Sequence, residues 1–201
     1  MNTLVPPTFE WLQLAPVLTV LLAACLGIVI EALVPRRWRF VSQIALFEVA
    51  VGVAFVFLVM SWRQPVGSTG LMAMGSISLD GPTYLMWGSL LVFGLLSLLV
   101  FSERDLDNGA TAFAASAASV PGSPSEAEAN TARHEHSEVF PLALFSLSGM
   151  MVFCAANDLL TAFVALEVMS LPLYLLSGMA RKRRLLSQEA ALKYFLLGAL
   201  S

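Results

Sequence analysis

The sequence predicts an all-α membrane protein, a polytopic bundle of about six transmembrane helices. Of its 201 residues, 58% are hydrophobic and 12% are charged, whereas an ordinary soluble domain has about 25% charged residues. The mean hydropathy is +0.79, and apolar runs of helix length alternate with short polar or basic turns. The net charge of −3 and the absence of a basic face exclude nucleic acid as a partner.

Six apolar runs carry helix signals. The predicted helices cover residues 12–34, 41–62, 80–101, 139–156 and 158–179, and a sixth starts near Ser187. Asp80 and Asp158 are predicted N-caps of helices 3 and 5, because a carboxylate there accepts a hydrogen bond from a free backbone N–H. Ser187 is the predicted N-cap of helix 6, with Glu189 in its first turn, where the helix dipole favours an acid.

The chain divides at residues 102–138, a polar segment with too few large apolar residues to bury a core, which predicts a flexible loop. Residues 1–101 then hold the three N-terminal transmembrane helices, and residues 139–201 hold helices 4–6. From Ser187 to Ser201, helix 6 extends about 22 Å, short of the roughly 30 Å of a bilayer core. We therefore expect the chain to be the N-terminal part of a longer protein, or its ordered part.

Basic residues in the short turns predict the orientation. Arg36, Arg37 and Arg39 separate helices 1 and 2, and the basic run 181–184 separates helices 5 and 6. Under the positive-inside rule both turns are cytoplasmic. The N-terminus is then outside, and the loop 102–138 lies on the cytoplasmic side.

Helix 5 carries a carboxylate, Glu167, at the middle of the run from Asn157 to Met179. Ionisable groups near half depth in a membrane are rare and usually functional. Lys193 is a second such group, about two turns into helix 6. Because helices 5 and 6 are antiparallel neighbours, an ion pair between Glu167 and Lys193 is geometrically possible, and such a pair can exchange a proton near neutral pH.

Polar groups follow Glu167 along helix 5. Ser170 and Tyr174 come at helical spacing and are expected to hydrogen-bond its carboxylate or a water. Pro172 cannot donate to the carbonyl of Val168, and such interruptions often line polar cavities in membranes. A proton pathway is the favoured interpretation; the alternative is a structural ion pair or a glutamate satisfied by neighbouring hydroxyls.

Other charged residues have weaker functional signals. Glu48, inside helix 2, either contributes to a proton path or has a snorkelling or interhelical role. Glu31 and Glu189 lie near helix ends, where solvation at the interface is expected. Glu189 is four residues before Lys193 and therefore competes for it.

Metal, disulfide and cofactor sites are not predicted. Cys25 and Cys154 lie in apolar runs and are interpreted as small buried hydrophobic residues rather than as a disulfide or metal pair. His134 and His136 offer too few ligands in too flexible a loop. The sequence has no phosphate-binding loop, nucleophile motif or cofactor fingerprint.

Two stretches resemble the antiporter-like membrane subunits of respiratory complex I. Residues 157–174 contain the string Glu-x-x-Ser-Leu-Pro-Leu-Tyr, and residues 187–201 contain Glu-Ala-x-x-Lys-Tyr. The start of helix 3, Asp-Gly-Pro-Thr-Tyr at 80–84, is a looser match. The resemblance is strongest over residues 140–201, while the long Ala/Ser-rich loop departs from the compact connection usual in the family.

The resemblance implies fourteen helices with two inverted five-helix repeats, the first of which begins in residues 139–201. It implies proton translocation coupled to quinone reduction elsewhere in the complex. Glu167 matches the family's helix-5 glutamate and Lys193 its helix-6 lysine, and the glutamate's principal lysine partner is expected on helix 7, beyond Ser201.

The same resemblance implies no cofactor on this chain, so NADH, FMN, Fe–S clusters and quinone are expected on other subunits. The expected partners are other membrane-arm subunits, including another antiporter-like subunit, and the lipid bilayer of a bacterial inner membrane. Two alternatives stay open. One is a core subunit of a multisubunit sodium/proton antiporter, which shares the repeat; the other is a non-transporting scaffold in which the intramembrane charges serve assembly.

Overall fold

The computed structural model describes residues 11–63, 70–103, 113, 124, 137–180 and 184–200. Within these ranges the chain forms six α-helices: α1 (Trp11–Leu33), α2 (Arg36–Trp62), α3 (Gly81–Ser102), α4 (Val139–Ala155), α5 (Leu159–Gly178) and α6 (Arg184–Leu200). By length and composition, α1, α2, α3 and α5 can each cross a membrane, whereas α4 is a shorter apolar helix of 17 residues. The predicted all-α transmembrane bundle is confirmed.

Both predicted aspartate caps are present. Asp80 Oδ1 accepts a hydrogen bond from the backbone N–H of Thr83 at 2.9 Å. Asp158 Oδ1 accepts from the backbone N–H of Thr161 at 2.8 Å. Each bond satisfies a donor that the first helical turn leaves without an intrahelical acceptor, and so fixes the start of α3 or α5.

Two helices begin earlier than predicted. α2 starts at Arg36 rather than Val41, and α6 starts at Arg184 rather than Ser187. Arginine is a good helix former, so the basic turns are partly wound into the helices that follow them. Ser187 therefore lies inside α6 instead of capping it, and Glu189 lies beyond the first turn.

The connection between α2 and α3 contains a small hairpin that the sequence did not predict. β1 (Leu71–Met72) pairs antiparallel with β2 (Ile77–Ser78) across a single 3-10 turn at Ala73–Gly75. All three turn residues have positive φ, including Met74 at 61°, a backbone conformation that costs every residue except glycine. Strands of two residues are too short for a period-2 pattern to be detected in the sequence.

The hairpin is bonded to the turn between α4 and α5. The backbone N–H and Nδ2 of Asn157 donate to Ser76 O at 2.9 Å and Gly75 O at 2.8 Å, and Ile77 pairs with Ala156. This end of the bundle is referred to below as the hairpin end. The opposite end, which holds the α1–α2 turn and the last residues of α5, is the basic end.

Helices α1 to α4 share one core, and α4 packs against α1, α3 and α5. Trp87 is fully buried in this core, and its Nε1 donates to Met151 O at 2.7 Å. The single polar atom of the largest core side chain is therefore satisfied. α5 contributes few buried residues, among them Ala165 and Pro172, and no described residue of α6 is buried.

The predicted polar loop 102–138 lies mostly outside the described residues. Within it, the ring of Phe113 packs edge-on against Phe101 with 5.6 Å between centroids, and its backbone pairs with Ala180. Phe113 therefore contacts the ends of both α3 and α5 at the basic end of the bundle.

Candidate functional site

Glu167 lies near the middle of α5, on the face that points towards α6. It is the ninth residue of the helix, about 12 Å from the hairpin end at about 1.5 Å per residue. Tyr174 and Gly178, seven and eleven residues later, fall on the same face because the helix has about 3.6 residues per turn. Both contact α6, and the Glu167 side chain is half-buried.

The hydroxyl groups expected to hold the Glu167 carboxylate bond or pack elsewhere. Ser170 Oγ donates to the backbone carbonyl of Glu167 at 3.5 Å, the usual local choice of a serine inside a helix. The ring of Tyr174 packs against Tyr194 of α6. Among the described residues, the Glu167 carboxylate has no hydrogen-bond or ion-pair partner. The expected hydroxyl contacts with the carboxylate are therefore wrong, while the alternative contacts with water stay a prediction.

An aromatic contact joins α5 to α6. The Tyr174 ring lies edge-on to Tyr194 at 4.8 Å and to Phe195 at 5.8 Å between centroids. Its hydroxyl rests over Gly198, where an added Cβ would overlap the oxygen. This cluster, referred to below as the tyrosine seam, occupies the α5 face between Glu167 and the basic end.

Gly178 and Ala191 fix the register of the two helices. A Cβ at Gly178 would lie 3.2 Å from the Cβ of Ala191, while Tyr174 meets residues further along α6. Since the helices are antiparallel, Lys193 is level with the stretch of α5 between Tyr174 and Gly178. Glu167 is roughly nine residues nearer the start of α5, an axial separation of about 14 Å.

Lys193 faces away from α5. Ala191 and Phe195, which contact α5, each lie two residues from it, a rotation of about 200° around the helix. Lys193 Nζ donates to Glu189 Oε1 at 2.5 Å, and the two side chains are 68% and 56% exposed. The predicted ion pair between Glu167 and Lys193 is therefore wrong in this structure, because the register and the facing of the helices separate the two groups.

Pro172 leaves α5 unbroken but frees one carbonyl. The helix continues through this buried proline, whose nitrogen cannot donate to the carbonyl of Val168. α4 approaches α5 closely at this level: a Cβ on Gly149 would lie 2.5 Å from Met169 N and 2.9 Å from the carbonyl carbon of Val168. Glycine is thus required for the two backbones to meet next to Glu167.

A cavity of about 340 Å³ lies between α1, α4 and α5. Val17, Ser148, Val164 and Val168 are among the residues that line it, and the lining is mainly apolar. Glu167 is not part of it. The polar space expected beside the proline is therefore not seen at this cavity, which lies on another face of α5.

A polar cluster that was not predicted from the sequence lies at the basic end and joins α1, α2 and the start of α4. Arg39 Nη1 lies 3.1 Å from Glu31 Oε1, and Ser137 Oγ donates to Glu31 Oε2 at 2.6 Å. Gln43 Nε2 donates to Gly27 O at 2.7 Å and to Glu31 Oε2 at 3.3 Å. Glu31 is thus a fully bonded structural carboxylate, and the expectation of simple interfacial solvation is wrong.

The cysteines do not behave as buried residues. Cys25 and Cys154 are both free thiols on exposed helix surface, so the interpretation of them as core residues is wrong. In the ranges that the structure describes, no group of three or more His, Cys, Asp or Glu side chains is placed to hold a metal ion. His134 and His136 lie outside those ranges.

Comparison with known proteins places the candidate residues in a recognised region. Residues 156–201, which include both Glu167 and Lys193, match the family described as NADH:quinone oxidoreductase/Mrp antiporter, TM. Over 203 residues the chain is 50% identical to NADH-quinone oxidoreductase subunit N of Nocardioides sp., covering 98% of this chain and 38% of that protein.

Two further relatives agree. The chain is 51% identical over 207 residues to NADH-quinone oxidoreductase subunit N 3 of Streptomyces griseus subsp. griseus, with 100% of this chain and 37% of that protein covered. It is 50% identical over 197 residues to subunit N of Thermobifida fusca, with 97% and 36% covered. The chain thus spans less than two fifths of the length of these relatives. Along nearly all of its residues the chain is therefore about half identical to part of proteins named NADH-quinone oxidoreductase subunit N.

Proposed function

We propose that the protein containing this chain is a proton-translocating membrane-arm subunit of a type I NADH:quinone oxidoreductase. Intramembrane Glu and Lys residues move the protons, and quinone reduction in other subunits drives them. The names of the relatives support this proposal, as does the antiporter description of the family matched by residues 156–201. The same description names Mrp antiporters, but the relatives above are named as oxidoreductase subunits.

The setting of the protein follows from the same proposal. NADH, FMN, Fe–S clusters and quinone bind to other subunits of the complex. The neighbours are other membrane-arm subunits, including another antiporter-like subunit, and the lipid of a bacterial inner membrane. The basic turns favour a cytoplasmic basic end and a hairpin end on the outer side, with the N-terminus outside.

The observation that carries the proposal is the state of Glu167. It is a carboxylate near the middle of a helix long enough to span a membrane, and no described side chain bonds to it. An ionisable group without a partner at this depth is rare and usually functional. The carbonyl of Val168, freed by Pro172, offers a nearby acceptor for water.

Lys193 is then a separate group in the proposed proton pathway and not the direct partner of Glu167. The tyrosine seam lies at the level between the two residues, and Lys193 points to the opposite side of α6. A proton that passes between them has to go around the seam, through groups other than these two side chains. The exposed position of Lys193 leaves it open to a further intramembrane partner.

The test is Glu167→Gln in the full-length subunit within its assembled complex. Inverted membrane vesicles are given NADH, and proton uptake and NADH:quinone turnover are both measured. We expect normal assembly and a lower proton uptake per NADH than in the wild type, because a glutamine side chain cannot take up and release a proton. Glu167→Asp, which keeps a titratable group, is the matched control and is expected to retain most of the uptake.

Three results contradict the proposal. Normal proton uptake by Glu167→Gln eliminates this residue from the pathway. Proton movement that depends on sodium and proceeds without quinone reduction favours the antiporter alternative. Failure of Glu167→Gln alone to assemble, with Glu167→Asp assembling normally, supports the scaffold interpretation.

A further inference from the structure

One carboxylate of the bundle is unexplained by the proposed function. Glu48 lies in α2, twelve residues after its first residue and fourteen before its last. Exposed tryptophans mark both ends of this helix, Trp38 at 56% and Trp62 at 59% exposure, as in the aromatic belts of membrane proteins. Glu48 is therefore about 15 Å inside the nearer belt residue, too deep for a short acidic side chain to reach the interface.

The face of α2 that holds Glu48 is uncovered. Exposed residues recur there at alternating spacings of four and three: Val41, Ala45, Glu48, Gly52, Phe55 and Val59. This row is referred to below as the α2 seam. Over the residues that the structure describes, the Glu48 carboxylate has no hydrogen-bond or ion-pair partner, and a Cβ added to Gly52 would meet nothing within 4 Å.

Contact of the α2 seam with lipid is energetically unfavourable. A carboxylate at the centre of a lipid-facing helix is strongly unfavourable, and such groups normally face protein or a water-filled space. Ala45 and Gly52 lie one turn before and one turn after Glu48, and small residues at this spacing let a second helix approach closely. A repeat of about 3.5 residues is also the pattern by which two helices pack side by side.

The place of α2 in the bundle indicates where the second helix comes from. α2 packs against α1 and α3 and, less extensively, α4, whereas α6 packs mainly against α5. α2 is therefore separated from the antiporter-family region formed by α5 and α6. We propose that the α2 seam is the docking site for a transmembrane helix of another subunit, and that this helix carries a lysine or arginine that pairs with Glu48.

The proposal goes beyond the proton pathway and does not depend on Glu167. Charge complementarity selects the partner, because an unpaired carboxylate in a low-dielectric setting is relieved most by a cation. The pair also fixes the register of the two helices, since sliding by one turn separates the charges by about 5.4 Å.

A photo-crosslink identifies the occupant. Phe55, on the seam and 43% exposed, is replaced by benzoylphenylalanine in the full-length subunit, and the native membranes are irradiated. The same replacement at Phe163 of α5, which is 59% exposed, is the control. Peptides captured by both probes do not depend on the position of the probe. We expect the Phe55 probe alone to capture a transmembrane peptide of another subunit that contains Lys or Arg.

Substitution of Glu48 gives a second, independent readout. Glu48→Leu leaves the partner cation buried and unpaired, so the amount of assembled complex is expected to fall at least about tenfold. Glu48→Gln keeps hydrogen bonding and is expected to fall less, and Val53→Leu, which is off the seam, is the matched control. A crosslink only to lipid, to this protein itself or to a segment without Lys or Arg overturns the proposal, as does a Glu48→Leu complex that assembles like the wild type.

Discussion

Two acidic residues of this chain, Glu31 and Glu167, occupy regions of opposite character. Glu31 belongs to the α1–α4 part, which has a shared core, and three side chains hold its carboxylate. Glu167 belongs to the α5–α6 part, where burial is low. In α5, 17% of the most apolar stretch is buried, whereas in α1 the buried share of the corresponding stretch is 44%. The Glu31 carboxylate therefore joins parts of the structural core, whereas the Glu167 carboxylate has no hydrogen-bond or ion-pair partner among the described residues.

The largest effect is expected from a substitution that disrupts the contact between α5 and the α1–α4 core. Gly149→Ala places a methyl group against the backbone of Met169, and neither backbone can move without shifting a whole helix. We expect a loss of stability of about 3 kcal/mol, the upper end for overpacking, measured as the thermal unfolding midpoint of the purified complex. Gly88→Ala, where the new Cβ would lie 3.6 Å from Leu58 Cδ2, is the control. Equal midpoints for the two variants would disprove the close α4–α5 contact.

A double-mutant cycle sharpens the comparison between the two acids. Glu31→Gln and Arg39→Gln are expected to be coupled by about 1 kcal/mol, because the pair is in contact and 18% and 25% exposed, so solvent screens it only in part. Glu167→Gln and Lys193→Gln are expected to show coupling near zero. Both cycles use thermal unfolding of the complex. Coupling of similar size in the second cycle would restore the direct Glu167–Lys193 pair.

The smallest effect is at the hairpin end, where Asp80 caps α3. Hydrogen bonds from the Thr83 hydroxyl and then from its backbone N–H lower the pKa of Asp80 below its ordinary 3.8. The charged cap therefore adds stability above the unfolded-state pKa, and this contribution is lost as the pH falls through the lower folded-state pKa.

The corresponding measurement compares wild type with Asp80→Asn. Because the side chain is exposed, we expect the wild type to be more stable at pH 7 by less than about 1 kcal/mol. The difference is expected to shrink as the pH falls below the ordinary pKa of 3.8. A constant difference across this range would show that the carboxylate charge plays no part in the cap.

The parts of the fold that sequence predicts well are local. The caps at Asp80 and Asp158 depend on donors three residues away, and the helices follow from runs of apolar residues. The hairpin escaped prediction because its strands are short and its bonds go to Asn157, 82 residues from Gly75. The Glu31 cluster escaped for the same reason, since Ser137 is 106 residues away, although a buried glutamine in α2 was a signal that partners were needed.

The candidate site shows a different limit. Composition and spacing identified Glu167 and Lys193 as unusual, and these remain the proposed pathway residues. Their relation to each other depended on the register of α5 and α6, which the contact of Tyr174 with Gly198 and of Gly178 with Ala191 determines. Helical periodicity predicts which face of its own helix a residue occupies. It does not predict the axial position of that residue relative to a neighbouring helix.

The Glu31 cluster also has a consequence for the order of events during synthesis. Arg39 is eight residues from Glu31, so this pair can form as soon as the first two helices enter the membrane together. Ser137 is translated about 5 to 20 s later at ordinary rates of chain growth. During that interval Arg39 balances the charge of Glu31. The helix pair α1–α2 can therefore reside in the bilayer before Ser137 and α4 complete the Glu31 cluster.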